Sequence, residues 1–403
     1  MELTATKYEQ TEVGLIPQGW EIKELGQLAK VIGGGTPKTT VAGYWNGKIS
    51  WFTPTEVGKQ KYLITSNRKI TLEGLHSSSA QILPIGTILL TSRAGIGDLG
   101  ILTKEATTNQ GFQSLLVYDE YDNEYVYYLL STLKPKLLSR ASGSTFLEIS
   151  PSKVKEIRVG VPSTLTEQKA IAQVLTDTDA LIQALEKKIT KKKLIKKGVM
   201  QKLLTPNEDW EVKILGELAE FYKGRGLPKS EIIQEGKYKC LHYGELFTKY
   251  KEEIRTILSK TNTLENVFFS KSNDVLMPTS DVTPNGLATA SCIREDNIIL
   301  GGDVLVIRFS HQIINGTFLS YYITQNRKQV MQLVSGSTVY HLYGSDMSNF
   351  VLSYPNIEEQ NLIVQTLSDM DKEISHLEKK LSKYQLAKQG MMQKLLTGKI
   401  RLV

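Results

Sequence analysis

One stretch of 39 residues occurs twice in this chain. Residues 167–205, EQKAIAQVLTDTDALIQALEKKITKKKLIKKGVMQKLLT, and residues 359–397, EQNLIVQTLSDMDKEISHLEKKLSKYQLAKQGMMQKLLT, run in register at a constant offset of 192 positions. Apolar side chains recur at Ile171, Leu175, Ile182, Leu185 and Ile189, and again at Ile363, Leu367, Met370, Ile374, Leu377 and Leu381. Steps of four and three residues draw one stripe along a helix and exclude a strand. The stripe weakens at Lys192 and Tyr384 and resumes at Val199, Leu203, Met391 and Leu395, so its phase shifts at the same point in both copies. Each copy begins after a proline, Pro162 or Pro355. Cap residues follow, with Glu167 and Glu359 placed where the positive end of a helix favours an acid. A helix of this length is about 60 Å long. Two helices built alike are predicted to pack as an antiparallel coiled coil.

The repeat is wider than the helices. EVGLIPQGWEIKELGQLA (12–29) returns as EDWEVKILGELA (208–219), which aligns Trp20 with Trp210 and Gly26 with Gly216. From Trp20 to Pro162 is 142 positions and from Trp210 to Pro355 is 145, so two blocks of nearly equal size precede the two helices. Within the blocks only a thin skeleton recurs. Pro37 aligns with Pro228, ILLTS (88–92) with VLMPTS (275–280), Tyr127-Tyr128 with Tyr321-Tyr322, and GST (143–145) with GST (336–338). A duplicated enzyme would keep its reacting groups in both copies or show them decayed in one, whereas two recognition modules need only a shared frame.

Strand composition marks ISWFT (49–53), ILLTS (88–92) and FQSLLVY (112–118), separated by Gly, Pro, Asn and Ser. Residues 123–140 read as a helix interrupted near Pro135. In the second block KCLHYGEL (239–246), DVLMPT (274–279) and GDVLVIRF (302–309) read as strands and residues 317–334 as helix. The fold class expected is α/β or α+β, with two similar globular domains, two long helices and an internal pseudo-twofold repeat. The boundaries are 1–163 for the lead-in and first domain, 164–205 for the first long helix, 206–355 for the second domain, and 356–403 for the second long helix and tail.

Lys and Arg number 49 against 42 Asp and Glu, a net charge of +7 compatible with a polyanionic partner. Lys187, Lys188, Lys191, Lys192, Lys193, Lys196, Lys197 and Lys202 crowd the first long helix, a pattern that suits either DNA contact or a solvated face. The polar, partly acidic start MELTATKYEQTEVG and the lack of any run of eighteen apolar residues lead to the expectation of a cytoplasmic protein with no membrane association. Cys240 and Cys292 form no CxxC and suggest buried free thiols.

Motifs for catalysis fail on context. Gly95, Gly97 and Gly100 spell GxGxxG after a strand-like run, but no amphipathic helix follows to hold a phosphate at its N-terminus, so a glycine-rich turn is expected. Gly43, Gly47 and Lys48 fall one residue short of a phosphate loop, and Ile49 stands where Ser or Thr would bind magnesium. The Pro-Pro step expected of an enzyme that methylates the amino group of a flipped base does not occur, and the five histidines show no metal-ligand spacing. The catalytic and metal sites are therefore expected to be empty, with no cofactor in this chain. Loop residues suited to nucleic acid remain: Lys38, Lys48, Arg93, Asn109 and Gln110 in the first block, and Lys223, Arg225, Lys229, Thr279, Ser280, Asn285 and Arg308 in the second. Arg suits guanine and Asn or Gln suits adenine, while Lys, Thr and Ser commonly hold phosphate.

In this order the segments resemble the DNA specificity subunit of a Type I restriction-modification system. TEVGLIPQGWE (11–21), ISWFTPTEV (49–57), GSTFLEISPSKVKEIRVGVPSTLTEQKAIAQVL (143–175) and MQKLLTGKIRL (392–402) are similar to hallmark stretches of that family, and the resemblance spans nearly the whole chain. It implies that each block is a target-recognition domain for one half of a two-part, asymmetric site in double-stranded DNA. It also implies that the helices are conserved spacers on which two methyltransferase subunits dock. The chain would then be non-catalytic, within a multisubunit DNA adenine methyltransferase and restriction endonuclease. S-adenosylmethionine, ATP and magnesium would be used by the methyltransferase and restriction/translocase partners. The alternatives are a self-sufficient DNA-modifying enzyme, a specificity subunit for a fused methylase-nuclease, and a plain coiled-coil scaffold. The second block departs from the family pattern, with Tyr340 at the place of Phe146 and Gly344-Ser345 near that of Ser150-Pro151, so base contacts do not transfer between blocks.

Overall fold

The computed structural model describes residues 7–143 and 147–402, apart from the Pro284 side chain. Ser144, Thr145 and Phe146, on one side of two of the sequence pairings above, lie outside the described residues. Two compact units emerge, Met1–Leu185 with Lys380–Val403, and Glu186–Lys379. Each holds one block and a part of both long helices, which run Leu165–Leu203 and Ile357–Leu395.

The first unit is built on a five-stranded sheet in the order 29–33, 113–117, 88–90, 99–102, 62–63, antiparallel except for its last pair. The second unit has the same sheet, in the order 219–223, 304–309, 275–278, 291–293, 253–254, and its last pair is again parallel. The duplication is thus structural even where the sequence similarity has faded. A short ribbon closes each block, joining lead-in to exit: Trp20–Glu24 with Arg158–Pro162, and Glu211–Ile214 with Val351–Tyr354.

Two consecutive helices cover each sheet, Asn123–Ser131 and Lys134–Arg140 in one unit and Gly316–Gln325 and Arg327–Leu333 in the other. Asp122 caps the first pair by accepting from the Tyr125 N–H at 2.8 Å, and Asn315 caps the second by accepting from the Thr317 N–H at 2.9 Å. The long helices are stapled to these same caps. Buried Gln168 accepts from the Asp122 N–H (2.8 Å) and donates to the Pro162 carbonyl (3.1 Å). Buried Gln360 accepts from the Asn315 N–H (2.9 Å) and donates to the Pro355 carbonyl (2.8 Å). That double use is a physical reason for the glutamine to stand in both copies of the repeat.

The apolar stripe serves two purposes along its length. In the first unit Ile171 and Leu175 enter the block's core with Tyr125, Leu129, Leu395 and Leu396. In the second, Ile363 and Leu367 enter a core containing Phe318, Tyr322 and Trp210, with Val199 and Leu203 packed on it. Ile182, Leu185, Ile189, Ile374 and Leu377 are also buried, whereas Leu381 is half-buried. The outer parts of the stripe therefore bind the blocks.

Two expectations need correction. KCLHYGEL is a strand only over Tyr238–Leu241; Tyr243–Thr248 is helical, because His242 and Glu245 form a reciprocal cap in which the Glu245 carboxylate accepts from the His242 N–H at 2.9 Å. The crowded lysines are not simply a solvated face. Lys192, Lys193 and Lys196 pair with Glu373, Glu378 and Asp371 of the second long helix at 2.8, 2.6 and 2.6 Å. The glycine-rich run is a turn, with Gly95 and Gly97 at φ of 107° and 93°, and Gly100 lies within the strand Leu99–Leu102. Cys240 and Cys292 are both buried.

Candidate nucleic-acid interface

In the first unit three loops converge at one end of the strands. The Gly35 N–H donates to the Thr108 carbonyl at 2.9 Å, and the Ser92 N–H donates to the Gly111 carbonyl at 2.8 Å. A Cβ on Gly34 would lie 2.0 Å from the Asn109 carbonyl oxygen, so only glycine lets these loops touch. Four of the five sequence-selected residues gather here. Gln110, exposed, accepts from the Thr36 hydroxyl at 2.5 Å, and Asn109 accepts from the Gly111 N–H at 2.9 Å, leaving its amide N–H groups free to donate. Half-buried Arg93 sits beside Gly111, whose built Cβ would be 3.3 Å from the guanidinium Nε. Exposed Lys38 is held through its carbonyl, which accepts from Trp45 Nε1 at 3.2 Å.

Lys48 is exposed on the strand Trp45–Phe52, whose partner Arg68–Ile70 adds two cations that sequence reading missed, Arg68 and Lys69. Arg68 lies over the Trp45 ring at 3.7 Å, an arrangement that fixes the guanidinium plane while keeping it at the surface. No sequence signal marked the pair, because Arg68 is opposite Trp51 and reaches Trp45 only past the register shift between Trp45 and Ile49.

In the second unit the candidates divide. Lys223, Arg225, Lys229 and Asn285 are exposed, and Ser280 is half-buried in a two-residue strand opposite His341. Gly224 and Gly226 carry the first three through a tight path, since a Cβ on Gly224 would come within 2.1 Å of the Gly301 carbonyl oxygen. Lys223 pairs with Asp303 at 3.1 Å. Thr279 is buried and donates its hydroxyl to the same Asp303 at 3.3 Å. Arg308 is mostly covered and holds buried Asp274 through two bonds of 2.8 and 2.6 Å, which raises the guanidinium further above its ordinary pKa. Tyr222 and Phe268 flank its guanidinium at 5.2 and 5.4 Å. Thr279 and Arg308 are thus engaged inside the fold by partners distant in sequence.

Fold and loops together define a class of chain in which one framework is used twice, each time to present a different rim of amide, hydroxyl and cationic groups. Among the described residues no group of three His, Cys, Asp or Glu side chains is placed to hold a metal, and no helix is long and apolar enough to cross a membrane.

The sequence profile of the Type I restriction modification DNA specificity domain matches residues 17–194 and again 207–384, and the chain belongs to that family. It is 28% identical to the Type I restriction enzyme MjaIX specificity subunit of Methanocaldococcus jannaschii, over 98% of this chain and 97% of that one. It is 26% identical to the MjaX protein of the same organism, described as a Type I restriction enzyme specificity subunit, over 98% and 97% of the two chains. Its fold is similar to the crystal structure of the Type-I restriction-modification system S subunit from M. genitalium, with a TM-score of 0.61 at 17% identity, over 97% of this chain and 99% of that one.

Proposed function

We propose that this chain is the sequence-reading, non-catalytic subunit of a Type I restriction-modification assembly. Each block reads one half of a two-part, asymmetric site in double-stranded DNA. The observation that carries the reading is one framework present twice with different loops, each copy matching the specificity-domain profile. Inherited frames with divergent rims are what two independent half-site readers need, because phosphate contacts position a protein while base contacts discriminate.

Methylation and cleavage belong to partners. Two methyltransferase subunits, supplied with S-adenosylmethionine, dock on the long helices, and restriction/translocase subunits bring ATP and magnesium chemistry. The assembly works in the cytoplasm. In the first block Arg93, Asn109 and Gln110 present the groups best shaped for base edges, with Lys38 and Lys48 on phosphate. In the second block Lys223, Arg225, Lys229, Ser280 and Asn285 form the corresponding rim.

Replacing residues 20–162 with the block of another family member tests this reading. Methylome sequencing of cells carrying the hybrid and its partners is expected to show one half-site changed and the other retained; simultaneous change of both halves would refute independent readers.

A further inference from the structure

Each unit contains the same four-part polar cluster, assembled from elements far apart in sequence. In the first, the Tyr128 hydroxyl donates to Asp179 Oδ2 at 2.7 Å, and Lys388 Nζ lies 2.6 Å from Asp179 Oδ1. In the second, the Tyr321 hydroxyl donates to Asp371 Oδ2 at 2.7 Å, and Lys196 Nζ lies 2.6 Å from that oxygen. The tyrosine comes from the block's helix, the aspartate from one long helix and the lysine from the other. Asp179 and Asp371 stand at equivalent repeat positions, as do Lys196 and Lys388.

The fourth part is a lysine just before the sheet's parallel edge strand. Lys61 donates to the Tyr128 hydroxyl at 2.9 Å and pairs with Glu124, while Lys251 lies 3.9 Å from Asp371, with Glu252 3.8 Å from Lys196. Two lysines and two acids therefore balance in each cluster. Thr176 joins the first at 3.1 Å from Lys61, whereas its repeat equivalent Ser368 donates to Glu253 at 3.5 Å.

The clusters select one helix register. Sliding one helix by a heptad would bring Leu381 or Leu395 opposite Asp179, and Ile189 or Leu203 opposite Asp371, leaving a half-buried carboxylate against an apolar side chain. Neither cluster lies on the loop rim, yet both survive in blocks whose loops have diverged.

We propose that Tyr128, Asp179 and Lys388, with Tyr321, Asp371 and Lys196, are positioning residues that key each recognition block to the helix pair at one height and rotation, and so restrict the spacing between half-sites. This rests on the two-reader function above. The fourfold variant Tyr128→Phe/Asp179→Asn/Tyr321→Phe/Asp371→Asn tests it, with Lys196→Arg/Lys388→Arg as the conservative control.

Two readouts decide. In the free, full-length chain, hydrogen exchange in helices 123–131 and 316–325 is expected to rise about tenfold or more in the fourfold variant, and not in the control. In cells carrying the partners, methylome sequencing is expected to show new modified sites whose spacer differs by about one base pair, with half-site sequences unchanged. Unaltered exchange overturns the keying, whatever happens on DNA. Raised exchange with a fixed spacer overturns the link to spacing and leaves the two-reader function standing. Altered half-site sequences would make these residues part of base reading and overturn a positioning role. A wild-type chain that directs no two-part methylation refutes the two-reader function itself, and the spacing claim falls with it.

Discussion

Arg308→Leu removes the guanidinium from a carboxylate that is only 1% exposed. Asp274 would keep one backbone partner, the Lys271 N–H at 2.7 Å, and lose both charged bonds. Breaking a buried pair from one side costs about 3–5 kcal/mol, because the remaining charge stays desolvated. The backbone bond and the partial exposure of Arg308 put the expected loss near the lower end, about 3 kcal/mol. For a unit of the size of Glu186–Lys379, that corresponds to a melting temperature lower by roughly 6–12 °C. Thermal unfolding followed by calorimetry is the assay. Asp274→Asn in the Arg308→Leu background removes the stranded charge while keeping the acceptor, and more than half of the loss should return. At temperatures well below melting, Arg308→Leu should leave the recognised DNA sequence unchanged. A melting temperature within about 1 °C of wild type would refute the structural role of the pair, and so would a double variant no more stable than Arg308→Leu.

His242 should make stability depend on pH. Burial lowers its pKa below 6.5, with Lys229 adding to the shift and Glu245 opposing it, and its Nδ1 accepts from the Gly244 N–H at 3.4 Å. Between the folded and unfolded pKa values the unfolded chain binds more protons, so stability rises with pH across that window and is lost as pH falls through it. Urea midpoints should fall from about pH 7 to about pH 5 more steeply in wild type than in His242→Asn, and equal slopes would refute the assignment. Arg93→Ala should relax the half-site sequence recognised, while Lys38→Ala should weaken binding evenly across sequences and reduce its salt dependence, as separated by competition binding at two salt concentrations. Four residues inserted after Leu185 together with four after Leu377 lengthen each helix by about 6 Å. Methylation mapping should then show a spacer longer by about one or two base pairs, and an unchanged spacer with retained activity would refute a measuring role for the helices.

The helices and the duplication were legible because both depend on local periodicity and on identity at a fixed offset. The paired sheets were only partly legible. Short strands such as Leu99–Leu102 and Ser291–Ile293 are too brief to carry an alternating pattern, and their pairing is decided by the core they cover. The same limit governed the site. Four candidates chosen in the first block by residue type stand together on one rim, but Thr279 and Arg308 looked equally available until Asp303 and Asp274 were brought to them by the sheet. The tyrosine pairing was misaligned for a similar reason. Sequence set Tyr127-Tyr128 against Tyr321-Tyr322, whereas the carboxylates match Tyr128 with Tyr321, one residue out of step. An offset that drifts by one inside a block hides a contact that the helices preserve.

The two cysteines have a practical bearing. Burial pushes both thiols up to about 11, so at neutral pH almost none of either is thiolate, the form that attacks maleimides and iodoacetamides. The native chain should therefore react only slowly with such reagents. A single cysteine introduced at an exposed position such as Lys48 or Lys229 would take a fluorophore or spin label at one address, with no need to rebuild the core around Cys240 and Cys292.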